Sequence, residues 1–318
     1  MSTHNNKIMI TGCNGFLGKN LSDFLSKKNF QIKKISRNNA DNVDVNLNLE
    51  NIIDWSSYLR DVDTIIHTAA RVHISKKESH ESNKLYRKIN TEATINLAQQ
   101  ASQNKIKKFI FISTVKVVGE KSNYGRSFQE DDAYNSSDPY AKSKIEAERQ
   151  LTMLAKKTNM DVIIIRPPLV YGPGVRGNFL NLMNVIYRGF PIPLKAAKNL
   201  RSLVSINNLC AFIALCIEHP NARNQIFFIS DDEDLSVSKL IEKISFLMNK
   251  SIKLIYLPII ILKILGILIM KKDSIDKLTD PLQVSTDKAK RLLNWNPSTS
   301  CNESIQLTIN HYLKSRKK

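Results

Sequence analysis

The sequence predicts an α/β protein built on a doubly wound parallel sheet, with a smaller α+β lobe at its C-terminus. Short apolar runs alternate with helical patterns through the first 230 residues, which is the period of βαβ units. The first run, at 8–10, leads directly into a glycine-punctuated loop and then into a helical pattern containing Leu21, Phe24 and Leu25. We therefore expect ligands to gather beyond the carboxyl ends of the strands.

Length and charge limit the possible classes of protein. The chain has 318 residues, enough for about two domains, and a net charge of +18 that is spread along its length. The charge indicates either a lysine-rich surface or attraction for anionic small molecules. No basic run is interleaved with aromatic residues, so we expect no nucleic-acid partner. Four cysteines without CxxC or metal-ligand spacing, and a polar start with no secretory signal, favour a cytoplasmic protein without a metal site.

Three glycines follow the first strand at a spacing of three and three, namely Gly12, Gly15 and Gly18. Gly12 permits a sharp turn, Gly15 lets the backbone approach a pyrophosphate, and Gly18 lets the helix pack against the sheet. The N–H groups of the first helical turn would then face the phosphates. A glycine triplet can be only a tight turn, but its place between a strand and a helix favours a dinucleotide-binding loop.

The end of the second strand bears on the choice of dinucleotide. We predict that strand over 30–35, and Ser36 and Arg37 follow it where an acidic residue would bind the ribose of NAD. A hydroxyl followed by a guanidinium suits the 2′-phosphate of NADP(H). The pair therefore favours NADP(H), with NAD(H) possible. The alternative is that Arg37 is an ordinary surface charge.

The next elements continue the alternation. We predict a third strand over 43–47, a helix over 52–59 and a fourth strand over 64–66 that ends in His67, Thr68, Ala69 and Ala70. Small residues at this point leave room for a cofactor. A lone histidine closing a buried strand is usually a packed, hydrogen-bonded core residue, so we assign His67 no role in the chemistry.

Further polar residues are predicted at the same edge of the sheet. A polar loop over 71–82 leads to a helix containing Asn90, and a fifth strand over 108–112 delivers Ser113 and Thr114. A long loop over 119–139 then leads to a helix that begins near Tyr140. The predicted topology brings four of these positions to one crevice, namely Thr11, Ala69, Thr114 and Tyr140.

Tyr140 and Lys144 are four residues apart and therefore share a helix face. A phenol has a pKa near 10, so acting as a base near pH 7 requires a shift of about three units. A neighbouring positive charge can supply a shift of that order. Alone, such a pair is common on solvated helices. Combined with the glycine loop and the Ser-Thr strand end, it indicates proton exchange with a substrate hydroxyl during hydride transfer.

Together these motifs resemble the extended short-chain dehydrogenase/reductases of the NAD-dependent epimerase/dehydratase family, whose nucleotide domain is a Rossmann fold. The resemblance implies that Tyr140 is the catalytic acid/base, that Lys144 binds the nicotinamide ribose and lowers the pKa of Tyr140, that Thr114 orients the substrate, and that Asn90 supports the site. It also implies cofactor contacts by Gly12, Asn14, Gly15, Phe16, Leu17, Gly18, Arg37, Asn46, Leu47, Ala69, Ala70, Lys144 and Pro167.

The resemblance extends into the second half. It implies that Asn178 and Phe179, with Thr114 and Tyr140, hold a nucleotide-sugar and that Arg201 contacts its pyrophosphate; the alternative for Arg201 is a surface charge. The predicted domains are 1–172, completed by 203–230, for the nucleotide, and 173–202 with 231–318 for the substrate lobe. Within them we predict a sixth strand over 162–165, a helix over 203–216 and a final strand over 225–229. A homodimer through the helices bearing Asn90 and Tyr140 is also implied.

Two departures from the family pattern narrow the reaction. Dehydratases carry an Asp-Glu pair where Val115 and Lys116 stand, and 4-epimerases usually carry an acidic residue where Ser36 stands. These features favour a reductase of a UDP-linked 4-keto-6-deoxy-N-acetylhexosamine, used in surface polysaccharide synthesis. A UDP-hexose 4-epimerase and a catalytically idle nucleotide-binding scaffold remain alternatives.

The most apolar stretch covers 254–270. It is shorter than the roughly 20 apolar residues that a spanning helix needs, and Pro258 and Lys263 interrupt it. We therefore predict no transmembrane span, and interpret the stretch as a buried strand and helix of the substrate lobe. The alternative is a face that makes peripheral contact with a membrane surface.

Overall fold

A computed structural model of the protein describes residues 6–37, 43–72, 80–268, 270 and 272–316. The strands of this part of the chain are β1 (Lys7–Thr11), β2 (Gln31–Ser36), β3 (Val45–Asn46), β4 (Thr64–His67), β5 (Lys108–Ile112), β6 (Asp161–Arg166), β7 (Leu169–Tyr171), β8 (Leu200–Arg201), β9 (Leu203–Ser205), β10 (Ile226–Phe228) and β11 (Leu235–Ser236). Seven of them form a parallel sheet in the order β10-β6-β5-β4-β1-β2-β3. This arrangement confirms the predicted doubly wound fold.

Helices cover both faces of the sheet and build the C-terminal lobe. They are α1 (Phe16–Lys27), α2 (His80–Arg87), α3 (Ala93–Gln103), α4 (Pro139–Lys157), α5 (Gly177–Tyr187), α6 (Ile206–Glu218), α7 (Val237–Leu247), α8 (Ile259–Leu268), α9 (Lys272–Thr279), α10 (Asp287–Leu293) and α11 (Cys301–Arg316). A π-helical segment, Lys88–Glu92, joins α2 to α3, and short 3-10 turns occur at Val115–Val117 and Pro220–Ala222. Across the described ranges, none of these helices has both the length and the apolar character needed to cross a bilayer.

The alternation of side chains along β1 explains the layered core. Ile8 and Ile10 pack with residues of α1 and α6 on one face, whereas Met9 packs with residues of α3 and α4 on the other. All three side chains are fully buried, as expected for the central strand of a parallel sheet. A third apolar cluster joins α5, α7 and α11 in the lobe. The exact domain boundaries stay a prediction.

Two predicted elements are wrong. Turns replace the helix expected over 52–59, because Trp55 is held from outside the segment: its backbone N–H donates to Gln100 Oε1 at 2.6 Å and its indole to Asn96 Oδ1 at 3.1 Å. The stretch 254–270 contains a single bridge residue and then α8, most of whose large side chains are exposed rather than buried.

Two smaller differences concern the bounds of predicted elements. The helix expected over 203–216 is a short strand, β9, followed by α6, because the Ser205 side chain accepts the backbone N–H of Asn208 and caps the helix there. The second strand ends at Ser36, one residue later than expected. Most of the polar loop predicted over 71–82 lies outside the described residues.

A buried ion pair fixes α4 against β6. Arg166 Nη2 donates to Glu148 Oε2 at 2.6 Å and Arg166 Nε donates at 3.1 Å, and both side chains are almost fully buried. The Tyr134 hydroxyl donates to the same carboxylate at 3.0 Å, and Arg166 Nη1 donates to the Glu130 carbonyl. These additional bonds satisfy the groups that burial has withdrawn from water.

Removing the carboxylate should be costly. Glu148→Ala leaves a buried guanidinium without its partner, so we expect the free energy of unfolding to fall by about 3 kcal/mol or more. Glu146→Ala, on the same helix, removes an exposed partner of Arg87 and should cost less than about 1 kcal/mol. Urea unfolding at equilibrium measures both. Similar losses in the two variants would contradict the role given to Glu148.

Candidate active site

The glycine loop leaves little room for larger residues at two of its three glycines. Gly12 has a φ of +76°, and a Cβ there would lie 2.7 Å from the backbone of Ala69. A Cβ on Gly18 would collide with the Gly12 carbonyl, since α1 packs directly on the loop. The Gly12 and Cys13 N–H groups both donate to the Ile35 carbonyl. These contacts fix the turn between β1 and α1.

Gly15 differs from the other two because the space beside it is less crowded. A Cβ there would meet only the Gly12 carbonyl oxygen, at 3.1 Å. Gly15 is also the N-cap of α1 and provides no side-chain cap, and no acidic residue occupies the first turn. The start of α1 therefore offers N–H groups and a positive dipole end to an anion, which fits the pyrophosphate of a dinucleotide. Asn14 is exposed and Phe16 and Leu17 are half-buried along the same turn.

The residues predicted to hold the adenosine end of the cofactor lie together at the far side of the sheet. Ser36, at the end of β2, pairs in register with Asn46 of β3, and its carbonyl accepts the N–H of Leu47 at 2.9 Å. Ser36 is buried, whereas Arg37 and Asn46 are exposed. The arrangement puts one guanidinium and no carboxylate directly after β2.

His67 is confirmed as a packed core residue. Its Nδ1 lies 2.7 Å from the Thr11 hydroxyl and its Nε2 lies 3.0 Å from the Thr94 hydroxyl. Complete burial, together with the charge of Lys144, lowers the pKa of His67 to about 3. Ala69 and Ala70 follow it as half-buried residues beside the glycine loop.

Asn90 connects the segment after β4 with α4. Its Oδ1 accepts the Arg71 N–H at 2.8 Å, and its Nδ2 donates to the Arg71 carbonyl and to Ser143 Oγ, each at 3.0 Å. The residue lies in the π-helical segment, and such bulges often occur at functional sites. Asn90 therefore links the Arg71 backbone to α4, and its support of the site stays a prediction.

The Tyr140 and Lys144 pair occupies the first turns of α4, beside the ends of β4 and β5. Asp138 caps the helix by accepting the Tyr140 N–H at 2.8 Å, with Pro139 at the first helical position. Lys144 is 1% exposed; its Nζ donates to the Ile112 carbonyl at 2.8 Å and lies 4.2 Å from the centre of the Phe111 ring. Burial lowers the pKa of Lys144 to about 7, and nearby Glu148 opposes that shift.

In the protein alone the pKa of Tyr140 is raised, and the lowering expected from Lys144 with a bound nicotinamide stays a prediction. Desolvation raises the pKa of the Tyr140 phenol above its ordinary value, and the charges of Asp138 and Tyr86 raise it further. The ammonium of Lys144 is committed to a backbone carbonyl instead. Any lowering must therefore come from charge added on the cofactor side.

Sequence reasoning missed the ion cluster behind Tyr140. Lys116 Nζ lies 2.8 Å from Asp138 Oδ2 and 3.3 Å from Glu120 Oε1. Lys116 therefore partly neutralises the carboxylate that raises the pKa of Tyr140. The Asp-Pro dipeptide before Tyr140 is an N-cap signal that could have revealed Asp138, but the pairing with Lys116 spans 22 residues and has no local signature.

Thr114 and Pro167 lie on neighbouring strand ends. The Val115 N–H donates to the Pro167 carbonyl at 3.0 Å, and Thr114 Oγ1 accepts the Lys116 N–H at 3.4 Å, so its hydroxyl proton can be donated elsewhere. The neighbouring Ser113 hydroxyl is buried and has no hydrogen-bond partner within the described chain. Such an orphaned group beside Thr114 suits a site that receives a polar ligand.

The predicted substrate residues are placed unequally. Asn178 is exposed at the start of α5, but the Phe179 ring stacks on Tyr171 at 5.3 Å inside the lobe core. The Phe179 side chain is therefore turned into the lobe core and only its backbone could contact a ligand, so its part in holding a nucleotide-sugar stays a prediction. Arg201 is half-buried and donates to the Asp280 carbonyl at 2.7 Å, and burial lowers its pKa.

The chain is similar to known proteins along most of its length. A family profile described as NAD dependent epimerase/dehydratase family matches residues 8–230. A Vibrio cholerae protein named UDP-glucose 4-epimerase is 39% identical over 314 residues, covering 97% of this chain and 96% of the relative. An Escherichia coli protein named dTDP-4-dehydro-6-deoxyglucose reductase is 28% identical, covering 97% and 98%. The crystal structure of a Bacillus cereus UDP-glucuronic acid 4-epimerase in complex with NAD superposes with a TM-score of 0.79 at 21% identity, covering 98% of this chain and all of that one.

Alanine substitutions in the glycine loop should separate binding from folding. Gly15→Ala meets little obstruction, so we expect a loss of stability of only about 1 kcal/mol. Its methyl group would nevertheless occupy the approach to the pyrophosphate and weaken dinucleotide binding about tenfold or more. Gly18→Ala should instead lower the melting temperature strongly. Titration calorimetry with NADPH and NADH, beside thermal unfolding, measures both effects. Unchanged dinucleotide affinity in Gly15→Ala would contradict this placement of the pyrophosphate.

Proposed function

Because this chain belongs to the NAD dependent epimerase/dehydratase family, we propose that it uses NADPH to reduce the 4-keto group of a UDP-linked 4-keto-6-deoxy-N-acetylhexosamine. The enzyme is a nucleotide-sugar epimerase or reductase by family. The observation that carries the finer proposal is the Ser36-Arg37 pair at the end of β2, where no carboxylate stands. A guanidinium at that point favours a 2′-phosphate and hence a cofactor exchanged at each turnover.

The residues after Thr114 argue against elimination of water. Val115 is buried and Lys116 is engaged with Asp138 and Glu120, so neither provides a carboxylic acid or carboxylate to the sugar. The Escherichia coli relative, by its name, acts as a reductase of a 4-dehydro-6-deoxy sugar nucleotide. Its similarity along nearly the whole chain supports a reductive reaction for the present protein.

In the proposed reaction, Tyr140 donates its phenolic proton to the C4 oxygen while C4 accepts a hydride, so that the carbonyl becomes a secondary alcohol. NADPH supplies the hydride when bound. Thr114 donates a hydrogen bond to the same oxygen, and Lys144 holds the nicotinamide ribose with its ammonium. Asn90 keeps α4 and the segment after β4 in register through its bonds to Ser143 and Arg71.

Residues of the C-terminal lobe could bind a UDP-linked sugar. Arg201 provides a fork of donors for the pyrophosphate of a UDP-linked sugar, and Asn178 lies at the exposed start of α5 where it could reach the nucleotide.

We also propose a homodimer in which α2–α3 and α4 of two copies pack together.

A UDP-hexose 4-epimerase is the second candidate. The Vibrio cholerae relative that carries this name is 39% identical along almost the whole chain. An epimerase oxidises C4, rotates the keto-sugar and reduces it again with the same cofactor, so it must retain NAD tightly. The two functions therefore differ in net cofactor consumption.

An assay with purified enzyme separates the candidates. We expect NADPH to be consumed in a one-to-one ratio with UDP-4-keto-6-deoxy-N-acetylglucosamine, and a 6-deoxy sugar with a C4 hydroxyl to appear by NMR. Under the same conditions UDP-glucose and UDP-N-acetylglucosamine should remain unchanged. Interconversion of the UDP-hexoses at C4, with bound NAD and no net use of NADPH, would instead establish the epimerase.

A single substitution tests the cofactor assignment. Arg37→Ala should raise the KM for NADPH about tenfold and leave the KM for NADH nearly unchanged, because one charge-assisted contact to the 2′-phosphate is lost. Arg60→Ala removes another exposed guanidinium and serves as the control. Equal effects of Arg37→Ala on the two cofactors would contradict a role at the 2′-phosphate.

Substitutions of Asp138 and Lys116 should shift the pH dependence of the reduction rate in opposite directions. Reduction requires protonated Tyr140, so the rate falls as pH rises through the pKa of that group. Asp138→Asn keeps the helix cap but removes a charge that raises this pKa, so the fall should move to lower pH by about half a unit or more. Lys116→Gln exposes Tyr140 to the full charge of Asp138 and should move it to higher pH.

Asp132, a partly buried residue that pairs with Arg126, provides a control for that measurement. Asp132→Asn should leave the pH profile of the reduction rate in place. Shifts of the same sign in Asp138→Asn and Lys116→Gln would contradict the electrostatic account.

A further inference from the structure

Helix α8 presents an unusually apolar surface to solvent. Seven large side chains on the helix and just beyond it are between 43% and 94% exposed, namely Ile260, Ile261, Ile264, Leu265, Ile267, Leu268 and Met270. We call this set the apolar ridge. Scattered exposed apolar residues are ordinary, but a contiguous set of this size marks an interaction surface.

The inner side of α8 explains why the ridge faces outward. Leu262 is 4% exposed, and Gly266 lies so close to α9 that a Cβ would be 2.7 Å from the Ile275 side chain. Lys263, the charged residue of the helix, turns to Asp280 at 2.8 Å and Asp276 at 3.5 Å. The polar group of α8 is therefore satisfied within the lobe, and its outer surface consists of aliphatic side chains.

Positive charge surrounds the ridge. Residues 250–280 contain six lysines and three aspartates, with no arginine or glutamate. Lys272 and Lys277 are exposed on α9, which packs against α8, and Lys253 and Lys195 are exposed where Lys195 N donates to the Ile255 carbonyl. Asp276 and Asp280 are paired with Lys263. Aliphatic side chains flanked by exposed lysines match the acyl and headgroup layers of an anionic bilayer.

We propose that the apolar ridge docks the protein on the surface of an anionic lipid bilayer. The 10-residue helix would lie along the interface with its aliphatic side chains among the upper acyl chains, and the flanking lysines would contact acidic headgroups. Tyr256, 67% exposed at the start of this segment, suits the headgroup level.

Two other roles for the apolar ridge, a membrane-spanning helix and an interface between two copies, fit the structure less well. A 10-residue helix is about 15 Å long, half of the roughly 30 Å hydrocarbon core, so it cannot span a bilayer. A helix about 15 Å by 10 Å also gives two copies only a few hundred Å² of shared surface on each partner, below the roughly 800 Å² of a standard interface.

The ridge is connected to the proposed substrate site by one residue. Asp280, whose carboxylate holds Lys263, accepts hydrogen bonds on its carbonyl from Arg201 at 2.7 Å and Asn199 at 2.9 Å. Docking would therefore bring the pyrophosphate end of the substrate site close to the membrane surface. This last consequence rests on the proposed function, whereas the docking itself does not.

Vesicle sedimentation with the full-length protein tests the docking without substrate or cofactor. We expect wild-type protein to bind vesicles containing about a third phosphatidylglycerol at least tenfold more strongly than pure phosphatidylcholine vesicles. Ile264→Ser combined with Leu268→Ser should weaken this binding about tenfold. Phe246→Ser removes an 83% exposed aromatic residue of α7 outside the ridge and should bind as wild type. Lys272→Glu with Lys277→Glu should abolish the preference for anionic vesicles.

A tryptophan reporter keeps the test independent of variant folding. Ile260→Trp, at a 74% exposed position, should show a blue shift of its fluorescence with anionic vesicles and none with neutral ones. Wild-type protein that stays in the supernatant with both vesicles, or binding that survives the double serine change, would overturn the proposal. A ridge-dependent dimer in sedimentation velocity without vesicle binding would do the same. If the wild-type protein reduces its substrate with NADPH but binds no vesicles, only the docking is refuted. If it binds anionic vesicles but carries out no such reduction, only the proposed function is refuted.

Discussion

The buried ion pair between Glu148 and Arg166 is the constraint on which the geometry of the site depends. Tyr140, Lys144 and Glu148 follow one another at intervals of four residues, so they share one face of α4. Arg166 forms the ion pair with Glu148, the last of the three. The next residue, Pro167, accepts the Val115 N–H on its carbonyl and so fixes the segment after Thr114. One ion pair therefore aligns the helix that carries the proposed acid/base with the strand ends of the proposed ligand site.

The burial of Tyr140 and Lys144 also disfavours the charged forms of both side chains. It lowers the pKa of Lys144 to about 7 and raises the pKa of Tyr140, so both side chains tend toward neutrality in the protein alone. Neighbouring carboxylates also affect the two pKa values. Glu148 stabilises the charged form of Lys144, whereas Asp138 destabilises the charged form of Tyr140. Tyr140 therefore stays protonated at neutral pH, which is the form that the proposed reductive direction requires.

The sequence was sufficient wherever local pattern and chain direction decide the structure. The sheet, the glycine loop and the Tyr140 and Lys144 helix follow from the βαβ period and from the rule that parallel strands end at one edge. It failed where contacts from distant segments decide. Residues 52–59 are held by side chains of α3. All the residues of α8 except Lys263 are apolar, so periodicity could not reveal which face it buries.

The central claim is that the Tyr140 hydroxyl delivers the proton that accompanies hydride transfer. The most direct test is the single-turnover rate of Tyr140→Phe enzyme preloaded with NADPH and mixed with the keto-sugar nucleotide. We expect this rate to fall by a factor of about 10² to 10⁴, the usual contribution of a general acid, while the affinity for NADPH stays within about twofold of wild type. A rate within a few-fold of wild type would contradict the account.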